Sequence, residues 1–295
     1  MTIAGLSDHA KGLLLTTTGG LALSMDIPLI RLSDGEVWSI LGLRNIITLC
    51  IAVALLAILR MAGRPWRQLL PGWIGLAVGL FYSIGTVSFV VAVYYTSAAN
   101  VVFILAFNPV FTALLSWAVV GERPSMAASL TMAAMVVGVG LIVSDGIDSG
   151  HWFGDLLSVV SVLATACAIT AGRRSKRGMG FMPLLSTAIP AALGLSYALP
   201  AGLAVNHPIW IILDGSLMMP LAFWCLATGP RYLSGPEVAM FYLLETILAP
   251  VWIWLIFAET PSRMTLLGGL VMVLALGSHS LWQARAKGRK AMLAG

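Results

Sequence analysis

Residues 117–125 read Trp-Ala-Val-Val-Gly-Glu-Arg-Pro-Ser, and residues 254–262 read Trp-Leu-Ile-Phe-Ala-Glu-Thr-Pro-Ser. Trp, Glu, Pro and Ser recur at a constant step of 137 residues, each time closing an apolar run. Carried back without gaps over 71–125 and 208–262, the step also pairs Pro71 with Pro208, Trp73 with Trp210, Tyr95 with Tyr232 and Ser97 with Ser234. Leu and Ile matches weigh little in an apolar chain, so the Pro, Trp, Tyr, Ser and Glu pairs carry the case. A second step, of 142, aligns 12–31 with 154–173 through Gly12/Gly154, Leu21/Leu163, Ala22/Ala164 and Arg31/Arg173. The sequence therefore divides into two related halves, 1–148 and 149–295.

The 295 residues are 59% hydrophobic and 10% charged. A soluble domain carries about 25% charged residues, and its surface cannot be covered with so few polar side chains. Lipid must be the solvent for most of the chain. Windows of ~20 apolar residues predict spans at 11–31, 37–59, 71–94, 98–120, 126–144, 154–172, 181–204, 208–229, 236–258 and 264–283. The first resembles a signal peptide at Lys11-Gly12-Leu13-Leu14-Leu15, yet it runs into Thr16-Thr17-Thr18-Gly19-Gly20 without a small-residue cleavage site and reads as a membrane helix. Dropping it would leave nine spans and put the termini on opposite sides. Cys50, Cys167 and Cys225 lie in apolar stretches and are odd in number, so no disulfide framework is expected.

Lysine and arginine set orientation. With a cytoplasmic N-terminus, fourteen fall on the cytoplasmic side: Lys11, Arg60, Arg64, Arg67, Arg123, Arg173, Arg174, Lys176, Arg177, Arg231, Arg285, Lys287, Arg289 and Lys290. Only Arg31 and Arg263 fall outside, and Arg44 lies within the second span. The expectation is an all-α integral membrane protein of ten transmembrane helices, with both termini cytoplasmic. Five helices is an odd number, so the second half enters the membrane from the opposite face. The halves become inverted-topology repeats around a central cavity, the architecture of secondary carriers. The repeated phrase then marks two hairpin ends on opposite faces.

These features resemble the drug/metabolite transporter superfamily, in its EamA-type branch. The first half carries the pattern in Asn108-Pro109-Val110-Phe111-Thr112-Ala113-Leu114-Leu115 and Gly121-Glu122-Arg123-Pro124. The second half departs from it, with Thr246 where the family has Pro and Ala258 where it has Gly. Overall the chain is most similar to bacterial aromatic amino-acid exporters. The resemblance implies a bacterial inner-membrane carrier with helices one, three, four, six, eight and nine around the cavity. It implies export of small amphipathic metabolites, amino acids including aromatic ones, with a non-amino-acid solute as the alternative.

Ionisable groups inside a membrane are costly and face a cavity or a partner. Glu245 stands midway through its span, and the 137-residue step makes Asn108 its mate, so this pair is the leading candidate for substrate contact. Glu245 and Asp26 are the candidates for protonation and coupling. Arg44 is expected to snorkel or to pair with Asp26 or Glu36, and Asp214 to lie at the outer interface. Tyr82, Phe103, Phe107, Trp224, Phe241 and Tyr242 supply rings that would pack an amphipathic solute. Pro28, Pro109, Pro220 and Pro250 are expected bending points for alternating access.

Small residues on helices five and ten, among them Gly138, Gly140, Gly268 and Gly269, fit close packing within the bundle or in a homodimer. No nucleotide-binding G-x-x-x-x-G-K-[ST] phrase occurs. Neither a cofactor nor a metal is expected, and the segregation of basic residues by loop argues against nucleic acid. A channel is disfavoured by the absence of a charge ring. An intramembrane enzyme is disfavoured because His9, His151, His207 and His279 all lie near span ends.

Overall fold

The computed structural model describes residues 8–63, 72–121, 126–148, 150–175, 181–228, 232 and 235–294. Among them the regular structure is helical, apart from an isolated antiparallel bridge between Gly35 and Val205. In lipid, every backbone N–H and C=O must be satisfied within the segment, so helices are the expected outcome. Arg64, Arg67, Glu122, Arg123, Pro124, Ser125, Lys176, Arg177 and Arg231 lie outside the described residues.

The helices are α1 (Asp8–Ser24), α2 (Asp26–Leu32), α3 (Val37–Met61), α4 (Trp73–Tyr95), α5 (Ala98–Leu105), α6 (Asn108–Val120) and α7 (Met126–Asp148). They continue with α8 (Trp152–Ser175), α9 (Met182–Leu185), α10 (Ala188–Ala201), α11 (Pro208–Leu213), α12 (Met219–Thr228), α13 (Gly235–Phe257) and α14 (Arg263–Ala294). A π-turn at Asp214–Met218 joins α11 to α12. Among the described residues, eight passages are long and apolar enough to cross a membrane, counting α1–α2, α5–α6, α9–α10 and α11–α12 as one each. The described apolar parts of α13 and α14, at 244–257 and 263–279, are shorter.

Proline explains the interruptions. Pro28, Pro109 and Pro190 each fall just beyond a break, at Met25, at 106–107 and at 186–187. A proline at position i removes the hydrogen bond to the carbonyl of i−4. One freed carbonyl, of Ser186, accepts instead from the Ser83 hydroxyl of α4 at 2.7 Å. Pro220 follows the π-turn, whereas Pro250 sits inside a continuous α13.

The described start of the repeated phrase, 117–121, ends its helix as 254–258 does. Gly121 N donates to Trp117 O and Ala258 N to Trp254 O, and both residues take left-handed backbone, at φ 82° and 54°. Glycine is indifferent to that region, whereas an L side chain costs about 1–2 kcal/mol. Ala258→Gly is therefore expected to raise thermal stability in detergent by about 1 kcal/mol. An unchanged or lower melting temperature would contradict this.

Packing pairs distant helices. The helix α3 crosses α10 at Gly42 and Gly194, where a Cβ on Gly42 would stand 2.9 Å from Leu195 N. A Cβ on Gly138 of α7 would stand 2.8 Å from Gly268 O of α14. Only glycine admits such close backbone approach. Elsewhere α1 packs on α12 and α13, while α8 packs on α4, α5 and α6. The largest core joins Ile27 and Ile30 of α2, Ile40 and Leu41 of α3, Val90 of α4, Val101 of α5, Ile211 of α11 and Ile253 of α13.

Candidate functional site

Three ionisable side chains meet inside the bundle. Arg44 of α3 donates through Nε to Asp214 Oδ2 and through Nη2 to Asp26 Oδ1, both at 2.6 Å. All three are buried, with Asp214 fully so. Two acceptors flank a planar fork of donors, the geometry for which guanidinium is suited. Arg44 Cζ also lies 5.9 Å from the Phe89 ring centroid of α4, within cation–π range.

Local chain breaks place the acids. Asp26 opens α2 directly after the Met25 interruption, and Asp214 opens the π-turn. Thr48 ties that turn to α3, its hydroxyl lying 2.9 Å from Gly215 O and 3.0 Å from its own helix's Arg44 O. Helical rise puts each of the three about 9–10 Å along its helix from the same end of the bundle. Asp214 therefore does not lie at the interface that its place near the start of the 208–229 span suggested. Arg44 draws it inward, because a buried guanidinium between two carboxylates is less costly than a lone one.

That end of the bundle is closed over the cluster. Around the Gly35–Val205 bridge, Glu36 N donates to Ala204 O, Asn206 N to Asp34 O, and His207 N to Ser33 O. Asn206 Nδ2 donates to Asp34 Oδ2 at 2.8 Å. Glu36 caps α3 through Trp38 N and Ser39 N, so the pairing of Arg44 goes to Asp26. Arg31 forms an ion pair with Glu259 and donates to Val93 O and Thr96 O. The Tyr94 hydroxyl reaches Gly35 O. A cavity of about 380 Å³ lies among Arg31, Asp34, Gly35, Val93, Tyr94 and Phe257.

A second buried network was invisible in the sequence. The Thr96 hydroxyl donates to Asp155 Oδ1 at 2.6 Å, and Asn100 Nδ2 reaches the same carboxylate at 3.2 Å. Thr265 completes it by donating to Asn100 Oδ1 at 2.8 Å. It joins α4, α5, α8 and α14, with Asp155 placed in the first turn of α8, where helix-end N–H groups favour an anion.

The residues selected from sequence lie in several surroundings. Phe103 and Phe107 are buried with Met135, Val162 and Met272, and the Phe103 ring fills the space beside Gly269. Tyr82 is half-buried beside Val78, Ala168 and Met182. Trp224 is 58% exposed. Asn108 is half-buried and accepts from Thr112 of its own helix at 3.2 Å. Glu245 is half-buried on α13, within electrostatic reach of Asp26. The side chains of Phe241 and Tyr242 lie outside the described residues. A cavity of about 550 Å³ between α4 and the α9–α10 passage is lined by Trp73, Gly79, Ser83, Met182, Ser186 and Ile189, among others. Asn45 and Asp214 each keep a buried side-chain oxygen with no hydrogen-bond partner among the described residues.

Residues 10–144 match the EamA-like transporter family. That EamA-like region runs from α1 through α7. An uncharacterized transporter of Archaeoglobus fulgidus is 27% identical over 219 residues, which cover 74% of this chain and 77% of that protein. An uncharacterized transporter of Synechocystis sp. is 26% identical over 198 residues, which cover 61% of this chain and 56% of that one. A protein of known crystal structure superposes with a TM-score of 0.61 over 93% of this chain and 98% of its own, at 18% identity, a likeness of fold. Together with the apolar helices, these matches make the chain similar to multi-pass membrane transporters, with its first half resembling the EamA-like family.

Proposed function

We propose that the chain is a secondary carrier that exports small amphipathic metabolites, amino acids including aromatic ones, by alternating access across a bacterial inner membrane. Ten crossings form two inverted halves, 1–148 and 149–295, with both termini cytoplasmic. One observation carries this reading: the packing is preserved when the halves are exchanged. The passage α1–α2 packs on α12 and α13, and its counterpart α8 packs on α4 and on α5–α6. The pairs α3 with α10 and α7 with α14 exchange into themselves. A pseudo-two-fold axis in the membrane plane produces that pattern, and such repeats place a substrate site at their interface.

Glu245 and the rings of Tyr82, Phe103, Phe107, Trp224, Phe241 and Tyr242 are the proposed substrate contacts, with Asn108 as the polar mate of Glu245. Purified protein in liposomes is expected to move labelled phenylalanine or tryptophan faster than empty vesicles. If these and a panel of other metabolites all moved at the background rate, the carrier reading would fail. Movement of a different solute alone would favour the non-amino-acid alternative. Glu245→Gln is expected to slow transport at least tenfold, an interaction of about 1.4 kcal/mol or more, while leaving the melting temperature unchanged. Wild-type flux in that variant would remove Glu245 from the site.

A further inference from the structure

Four ionisable side chains converge where α2, α3, the π-turn and α13 meet: Asp26, Arg44, Asp214 and Glu245. Other charged groups on the packed elements lie elsewhere. Arg31 pairs with Glu259, Asp155 faces Thr96 and Asn100, and Asp8 with Lys11 occupies the far end of α1. Fully ionised, the cluster sets one guanidinium against two contacting carboxylates and a third nearby. The excess is negative, about 10 Å inside the bundle by helical rise, where an uncompensated ion costs several kcal/mol.

Arg44 cannot supply the missing charge. Its Nε and Nη2 are committed to Asp214 Oδ2 and Asp26 Oδ1, and Asp214 Oδ1 is left buried with no donor among the described residues. The Asp26 and Asp214 carboxyls meet on one guanidinium, each 2.6 Å from it. No group of three or more His, Cys, Asp or Glu among the described residues is placed to hold a metal ion. An organic ammonium would need room, and the unpartnered oxygen exposes essentially no surface. A proton needs none.

We propose that the Asp26–Arg44–Asp214 cluster is a binding site for one proton, shared between the two aspartates, whose occupancy controls opening of the bundle end above it. A carboxylate takes the proton from water to become a carboxylic acid and returns it unchanged, so nothing else is consumed. With the proton bound, the pair carries one negative charge against Arg44, the three groups in contact sum to zero, and the dry, closed arrangement is favoured. When it leaves, two like charges share one guanidinium, and hydration through opening becomes favourable. The π-turn gives the motion a place to occur, since its widened hydrogen bond from Met219 N to Asp214 O is a weak point in the helix. Opening would separate the 33–36 loop from the 202–207 loop, the segments now joined above the cluster.

Coupling to flux rests on the carrier reading; proton binding does not. The test is therefore first made without substrate, by infrared difference spectroscopy of the full chain in liposomes as pH is raised from acid to mildly alkaline. The expected result is the C=O stretch of a protonated carboxylic acid in dry surroundings at low pH, lost as pH rises. In Glu245→Gln, which removes the neighbouring acid's own band, it should persist, and adding Asp26→Asn or Asp214→Asn to that chain should abolish it. No such band in the wild-type chain overturns the proposal, as does a band that survives both aspartate substitutions or vanishes only with Glu245→Gln. Because the proton is shared, Asp26→Asn decides the matter if Asp214→Asn does not fold. With a transported solute in hand, the stimulation of flux by a pH gradient should fall to a ratio of about one in Asp26→Asn, a complete loss of coupling free energy. Persistence of the wild-type stimulation would overturn the coupling and leave the carrier standing.

Discussion

Arg44→Ala is expected to destabilise the folded bundle by about 3–5 kcal/mol, the cost of stranding buried charge by removing one partner. Asp26 and Asp214 would lose their shared donor at once, with neither carboxylate exposed enough to recover water. The Phe89 ring would also lose the guanidinium beside it. Because the cluster ties α2 and α3 to the π-turn some 170 residues further along the chain, the damage should appear as whole-bundle unfolding. The measurements are melting temperature in detergent and recovery of monodisperse protein on size exclusion. Arg44→Met combined with Asp26→Asn and Asp214→Asn should regain most of the loss, since buried ion networks are commonly replaceable as a unit. Arg44→Lys should fall between, because one ammonium is a point charge and lacks the two-pronged fork. A melting temperature unchanged in Arg44→Ala would show that the cluster does not hold these helices together.

The limits of the sequence reading follow from the range of the interactions. The repeated phrase was legible because Gly121 and Ala258 end their helices by a local bond four residues back, and local bonds leave local patterns. Helix positions were legible for the same reason, since an apolar run long enough for lipid has few alternatives. The breaks at Met25, 106–107 and 186–187 were signalled by the prolines that follow them, although Pro190 was not singled out. The pairing of Arg44 with Asp26 was also within reach, as the two lie 18 residues apart across one short connection. Asp214 was not, because its partner is 170 residues away and nothing near Pro208 announces it. The Thr96–Asn100–Asp155–Thr265 network escaped because each member looks like an ordinary polar residue near a helix start. The 137-residue step joined Asn108 to Glu245 as sequence mates. In the folded chain their recorded neighbours differ: Thr112 for the first and Asp26 for the second.

The second large effect is expected from a reversible cross-link across the closed end. Asp34 and Asn206 flank the Gly35–Val205 bridge, and their side chains already meet at 2.8 Å. Asp34→Cys with Asn206→Cys, in a chain whose Cys50, Cys167 and Cys225 are replaced by alanine, should therefore oxidise readily, since residues opposed across an antiparallel bridge have Cα atoms within the reach of a disulfide. If alternating access requires the 33–36 and 202–207 loops to part, oxidation should reduce flux in liposomes to that of empty vesicles. Reduction should restore it, and each single-cysteine chain should respond to neither treatment. A bulk loss of folding is separated from locking by that recovery, because an unfolded carrier would not return on adding a thiol. The closed arrangement holds several backbone bonds between the two loops, so the link would trap a conformation already favoured rather than distort it. Undiminished flux through a chain shown by mass spectrometry to be fully cross-linked would mean that substrate does not pass this end. The entry route would then have to be sought at the cavity between α4 and α9–α10, where Ser83 and Ser186 already share a hydrogen bond.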